Sequence, residues 1–264
     1  MVDVQSRGAG SAIPAGAGSA IPAEIAQFDA LAARWWDPKG PMRALHDMNP
    51  LRVGWIDRRI QARFGGPILG GKGRVLDIGC GAGLAAEALA GLGHDVLGLD
   101  AAGAAIAAAR AHAEGQGLPL TYRVGTAEDL AAKGVRFPVV TALEVIEHVA
   151  DPGAFLRLLA RLTEPDGLLF VSTLNRTLRS LAVAKLGAEY LLRLLPVGTH
   201  DWRQFVTPAE LGKLAEPAGF RVEAVSGMVF DLRRREWRTG ADLAVNYIAA
   251  LTRSAPSPSG KGSR

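Results

Sequence analysis

The chain has 264 residues, 48% of them hydrophobic, enough for one large α/β domain whose core needs no disulfide or metal staple. Its formal charge of +4 is too mild to select nucleic acid or anionic lipid as a partner, and the single cysteine, Cys80, excludes an internal disulfide and fits a reducing cytoplasm. No run of eighteen uncharged apolar residues occurs, and the N-terminus lacks a basic segment followed by an apolar one, so neither a membrane span nor a secretory signal is expected.

Residues 8–23 repeat the octapeptide G-A-G-S-A-I-P-A in tandem, with too few large apolar side chains for a core, and residues 1–22 are expected to be disordered. A single domain is expected over residues 23–253. Helical spacing of Ile25, Phe28 and Leu31 predicts an amphipathic helix over Ala23–Trp35, ending near Pro38, and a second helix over Val53–Phe64. Strands are predicted at Val75–Ile78, His94–Leu99, Leu120–Val124, Phe137–Leu143 and Leu168–Ser172. Helices at Leu84–Leu92, Ala101–Gly115 and Gly153–Leu162 alternate with them, the last opened by an Asp151-Pro152 cap, while Thr126–Leu130 reads as a loop. This alternation argues for βαβ units and a parallel sheet. After the fifth strand the order changes: residues 175–200 read as a mostly helical insertion, and Thr207-Pro208-Ala209-Glu210 as a capping box opening a helix that ends near Gly219. Val222–Val225 and a strand around Val245–Ile248 are expected to close the sheet as a hairpin-like pair, and residues 254–264 to form a flexible tail.

The chemistry starts at Arg74–Gly83, R-V-L-D-I-G-C-G-A-G. An apolar strand runs directly into Gly79, Gly81 and Gly83, whose missing Cβ atoms let a ligand approach the main chain, with a helix N-terminus aimed at the same place. A dinucleotide frame started at Gly79 fails at Leu84, and one started at Gly81 leaves Asp77 where an apolar residue belongs. A carboxylate there would repel pyrophosphate and suits a zwitterion such as the amino-acid end of S-adenosylmethionine. Asp100, closing the second strand, can accept hydrogen bonds from both ribose hydroxyls. This pattern resembles the class I S-adenosylmethionine-dependent methyltransferases, which implies a Rossmann-like fold with a mostly parallel seven-stranded sheet, an N-terminal helical leader and an insertion after the fifth strand.

The fourth strand ends in Leu143-Glu144-Val145-Ile146-Glu147-His148. A helical turn starting there would set Glu144, Glu147 and His148 at i, i+3 and i+4 on one face, beside the glycine turn. Two carboxylates and an imidazole there can hold a divalent cation, or His148 can act as a general base; the third reading is a structural hydrogen-bonding pair. Zinc spacing, an aromatic RNA-binding run and a Lys/Arg stripe are lacking apart from Arg233–Arg235, so no nucleic-acid partner is expected.

R-W-W-D (34–37), L-H-D-M-N-P-L-R (45–52), A-L-E-V-I-E-H-V (142–149), S-T-L-N-R (172–176), G-A-E-Y (187–190), G-T-H-D-W (198–202) and V-N-Y (245–247) are similar to the ubiquinone-biosynthesis O-methyltransferases. The resemblance implies methylation of phenolic hydroxyls on polyprenylated catechol-like intermediates, including demethylubiquinol. It implies Arg52 at the methionine carboxylate, Gly79 as first loop glycine, Asp100 at the ribose and Leu143 against the cofactor. In eukaryotic relatives both Glu and the His are linked to magnesium, which points to Glu144, Glu147 and His148. The base would be His148, or His200 in the G-T-H-D-W loop. A polyprenyl substrate also implies cytoplasmic protein held at the inner membrane face. Residues 179–195 read as a basic amphipathic helix for anionic lipid, with Leu181, Leu191, Leu192 and Leu195 opposite Arg179, Lys185 and Arg193. Contact with other enzymes of the pathway and a different small phenol or acid as acceptor both stay open.

Overall fold

The computed structural model describes residues 21–70, 73–177, 179–180, 204–231, 234 and 236–254. Helix α1 (Pro22–Leu31) leads through a 3-10 turn (Ala32–Arg34) to α2 (Arg43–Phe64). Then come β1 (Val75–Ile78), α3 (Leu84–Gly91), β2 (Val96–Asp100), α4 (Gly103–Ala113), β3 (Leu120–Val124), α5 (Ala127–Ala132) and β4 (Phe137–Leu143). The second half holds a 3-10 turn (Ile146–His148), α6 (Pro152–Leu162), β5 (Thr163–Leu174), α7 (Pro208–Ala215), β6 (Phe220–Asp231), β7 (Glu236–Gly240) and β8 (Asn246–Arg253).

The strands form one sheet in the order β3-β2-β1-β4-β5-β8-β6-β7. Strands β1 to β5 are parallel, β8 is antiparallel to both β5 and β6, and β7 is antiparallel to β6. Parallel strands covered on both faces must be apolar on both, and every residue of β1 and β4 is buried. One face packs on α5, α6 and α7 through Leu130, Phe155, Leu159 and Leu211, and the other on α2, α3 and α4 through Ile56, Ile60, Leu89 and Ile106. The chain order reverses between β1 and β4, where open α/β sheets leave a crevice at the strand carboxyl ends.

Several expectations need correction. The sheet has eight strands among the described residues, because β6 runs on to Asp231 and turns back into β7. The expected β6/β8 pair is adjacent and antiparallel, but β7 lies between its members in the chain. Thr126–Leu130 is a helix start: the Thr126 hydroxyl accepts from Asp129 N and the Asp129 carboxylate accepts from Thr126 N, so a shorter acid completes the capping box. Helix α2 begins at Arg43, ten residues before the predicted Val53, and runs through Pro50. Interior proline costs a helix about 3 kcal/mol, and burial of Met48, Asn49, Arg52 and Val53 on either side of Pro50 offsets it. Most of the expected insertion, His200 included, lies outside the described residues. Among the described residues no helix is long and apolar enough to cross a membrane.

Candidate active site

Strand β1 delivers the chain into the glycine turn with Gly79 at φ 66° and Gly81 at φ 53°, the left-handed region that glycine tolerates. A Cβ on Gly79 would sit 2.6 Å from Val145 Cγ2, and one on Gly81 would drive into the Trp35 ring. The loop's own donors are already used. Gly79 N donates to Leu99 O at 2.8 Å, and Gly81 N to Asp100 Oδ2 at 2.8 Å. What the glycines offer a ligand is therefore close approach more than a set of open N–H groups. The second Asp100 oxygen accepts from Ala102 N at 2.8 Å, so this carboxylate braces both the loop and the start of α4. Burial raises its pKa against these hydrogen bonds, and each oxygen keeps a lone pair for a ligand hydroxyl.

Asp77 and Arg52 supply opposite charges. Asp77 is buried, with Oδ1 accepting from the Thr141 hydroxyl at 2.6 Å and Oδ2 without a partner. Burial pushes its carboxyl up to about 6, partly opposed by Thr141 and Arg52 and reinforced by the charge of Asp100. Arg52, also buried, donates from Nε to Asn49 Oδ1 at 3.0 Å while Nη1 has no partner. Asn49 is itself pinned by donating to Leu84 O at 2.8 Å. Burial lowers the Arg52 pKa, and the carboxylates Glu144 and Asp77 oppose that. An unpaired guanidinium N–H and an unpaired carboxylate oxygen, both buried, cost free energy until something fills them. Their opposite charges are complementary to the two ends of a zwitterionic amino acid.

Beyond β4 the backbone departs from the expected helical turn. Glu144 takes φ 55°, left-handed, and only Ile146–His148 form a 3-10 turn, so the i, i+3, i+4 face does not form. Glu144 Oε1 accepts from the Ser172 hydroxyl at 2.7 Å. Glu147 is buried, with Oε2 unpartnered. Burial first, and then the negative charge of Glu144, hold its carboxyl well above the usual carboxylate range. His148 is half-buried and burial lowers its pKa, which leaves a neutral imidazole at neutral pH. Among the described residues no group of three His, Cys, Asp or Glu side chains is arranged to hold a metal ion.

Arg52, Asp77, Gly79, Gly81, Asp100 and Leu143 all line one cavity of about 450 Å³, and Glu144, Glu147 and His148 line the same one. Asn246, given no role by the sequence, joins them: its Oδ1 is buried and unpartnered, while Nδ2 contacts Met48 Sδ at 3.4 Å. The available signal was a polar amide opening an apolar strand, where Asn is disfavoured. The leader closes the near side. Trp35 lies over Gly81, Trp36 Nε1 donates to Ala82 O at 3.0 Å, and the Trp36 ring stacks on His112 with centroids 3.4 Å apart. Glu87 on α3 holds His112 in turn at 2.8 Å.

Residues 52–225, from Arg52 into β6, match the family model described as a methyltransferase domain, and the chain belongs to the class I S-adenosylmethionine-dependent methyltransferases. Solved structures agree on the fold: the magnesium protoporphyrin IX methyltransferase of Synechocystis with bound SAH superposes with a TM-score of 0.61, at 22% identity, over 86% of this chain and 94% of that one. The sequence narrows the class. It is 51% identical to the ubiquinone biosynthesis O-methyltransferase of Azorhizobium caulinodans over 86% of this chain and 91% of that protein. It is 45% identical to the protein of that name from Thiobacillus denitrificans, over 88% of this chain and 97% of the relative. The chain is a member of the ubiquinone biosynthesis O-methyltransferase family.

Proposed function

We propose that this protein transfers methyl from S-adenosylmethionine to phenolic hydroxyls of polyprenylated catechol-type intermediates, including 3-demethylubiquinol to ubiquinol. The observation that carries the reading is one cavity holding two unsatisfied groups of opposite charge, Arg52 and Asp77, together with a neutral imidazole, His148. The close family relatives supply the substrate class.

The cofactor, when bound, supplies an electrophilic methyl group on a sulfonium. Arg52 receives its carboxylate, Asp77 its ammonium and Asp100 its ribose hydroxyls, while Gly79, Gly81 and Leu143 let it lie against the main chain. A phenol with pKa about 10 is mostly protonated at neutral pH. His148 accepts that proton as the oxygen attacks, and its lowered pKa keeps it in the accepting form. Glu147, whose pKa burial and Glu144 raise, is the candidate partner for the neighbouring catechol oxygen. His200 is the second candidate base.

Magnesium held by Glu144, Glu147 and His148 is a distinct reading, and these residues do not fit it well: among the described residues no three-ligand group is assembled. No step is routed through it. Residues 179–195 are the proposed anchor to anionic lipid on the inner membrane face, and other enzymes of the pathway are proposed partners there. A turnover assay with S-adenosylmethionine and a short-tailed demethylubiquinol, with and without chelator, tests the reading. Methylated product that forms despite chelation is expected; absence of product under both conditions overturns the function.

A further inference from the structure

The polyprenyl tail of the acceptor has so far no path, and an inference about it rests on the function proposed above. We propose that the face of the β6–β7 hairpin carrying Trp237 and Phe230 is the wall along which an isoprenoid tail leaves the catalytic cavity. A cavity of about 450 Å³ lies at the size of a single small-molecule site. Cofactor and phenol ring share it, so the tail must lie outside.

The sheet register says where the hairpin stands. Thr173 pairs with Tyr247 and Tyr247 with Gly227, both antiparallel, so β6 runs in the same direction as β5 and Gly227 is level with Thr173 at the carboxyl edge. At about 3.3 Å per residue, Phe230 projects roughly 10 Å beyond that edge, on the side where the cavity opens. Phe230 and Trp237 are direct cross-strand partners and so share a face, their rings 5.5 Å apart at 65°. Trp237 lines the cavity beside Met48 and Asn246. Phe230 is 40% exposed. Two touching rings therefore connect the cavity interior to solvent. Val229 and Arg238, also partners, belong to the opposite face.

The position suits the acceptor. Asp100 and the leader bound the cavity at the β2 end, whereas Glu144, Glu147, His148 and Asn246 gather at the β4, β5 and β8 ends, nearer the hairpin. Arg234 in the turn and Arg238 on the opposite face, partnered by Glu236 and Asp231 at 3.8 and 3.3 Å, leave the face with the two rings apolar.

The test compares kcat/KM for a long-tailed demethylubiquinol in phosphatidylcholine vesicles with kcat/KM for a tail-less analogue. Phe230→Asp should lower the long-to-tail-less ratio about tenfold by removing apolar contact with the tail; Phe230→Leu should keep it within about twofold of wild type, and Val229→Asp should leave it unchanged. A wild-type ratio in Phe230→Asp, or an equal drop in Val229→Asp, overturns the inference while the function stands. Wild-type protein inactive on both compounds overturns the function and this inference with it. A diazirine-tailed analogue gives a second readout on unaltered protein: label within residues 228–240 is expected, and label confined to residues 21–45 or 181–203 overturns the route.

Discussion

The two ends of the cavity are built on different plans. At the β1–β2 end the polar groups are tied to neighbouring backbone: Asp100 accepts from Gly81 N and Ala102 N, and Gly79 N donates to Leu99 O. At the β4–β8 end side chains meet from separate strands: Ser172 on β5 holds Glu144 after β4, and Asn246 on β8 keeps an oxygen unpartnered. The first end is fixed before any ligand arrives. The second has polar capacity in reserve, which suits its proposed part of holding a reacting oxygen and releasing a product. Arg52 and Asp77 stand between the two, incompletely paired, where the proposed cofactor site would meet the proposed reacting end.

The sharpest way to separate the ends is to remove the base. His148→Ala should lower kcat about 10²- to 10⁴-fold with the S-adenosylmethionine Kd unchanged in calorimetric titration; turnover within a few-fold of wild type would hand the role to His200. Asp100→Ala should do the reverse, weakening cofactor binding by about 1 to 3 kcal/mol through lost hydroxyl contacts, together with some loosening of the glycine loop visible in the melting temperature.

Asp77 gives a pH handle. With its carboxyl raised to about 6, protonation below that pH removes the partner of the ligand ammonium. Cofactor affinity should therefore fall as pH drops through about 6 and be level above it, and Asp77→Asn should bind weakly with a flattened profile. In the ligand-free protein the sign is opposite. A carboxyl with a raised folded pKa favours the fold in acid, and that contribution is lost as pH rises from the ordinary aspartate value of 3.8 through about 6. Denaturation with and without cofactor across this range separates the two effects. The smallest change expected is in Asn246→Ala, which should raise the acceptor KM about threefold to tenfold, the worth of one neutral hydrogen bond, and leave cofactor affinity alone.

The same contrast governs what the sequence could reveal. The glycine turn, Asp77 and Asp100 are legible because their geometry follows from residues adjacent in the chain: a buried strand, glycines at positive φ, a second strand ending in an acid. The caps at Asp151 and Thr207 are local too, and both are present. Asn246 and Trp237 were given no role, because they reach the cavity only through the pairing of β8 with β5 and the turn of β6 into β7. The basic run Arg233–Arg235, between Asp231 and Glu236, carries no apolar alternation that would mark the turn. Glu144 was misplaced for another reason: a left-handed non-glycine residue is imposed by its bonds to Ser172 and carries no local signal. Helix α2 begins ten residues before the predicted Val53, and only the packing around Pro50 reveals that a helix runs through it.

The leader has a kinetic consequence. Trp35 lies over Gly81, His46 donates to the Trp35 carbonyl at 2.8 Å, Asp29 accepts from Ala104 N at 2.9 Å, and Trp36 is clasped between Ala82 and His112. A spent cofactor leaving on this side has to peel that strap from the glycine loop and α4, breaking an aromatic stack and two hydrogen bonds together. Exchange of cofactor between turnovers is then a gated event, with its own barrier, set by residues some distance from the methyl group being moved.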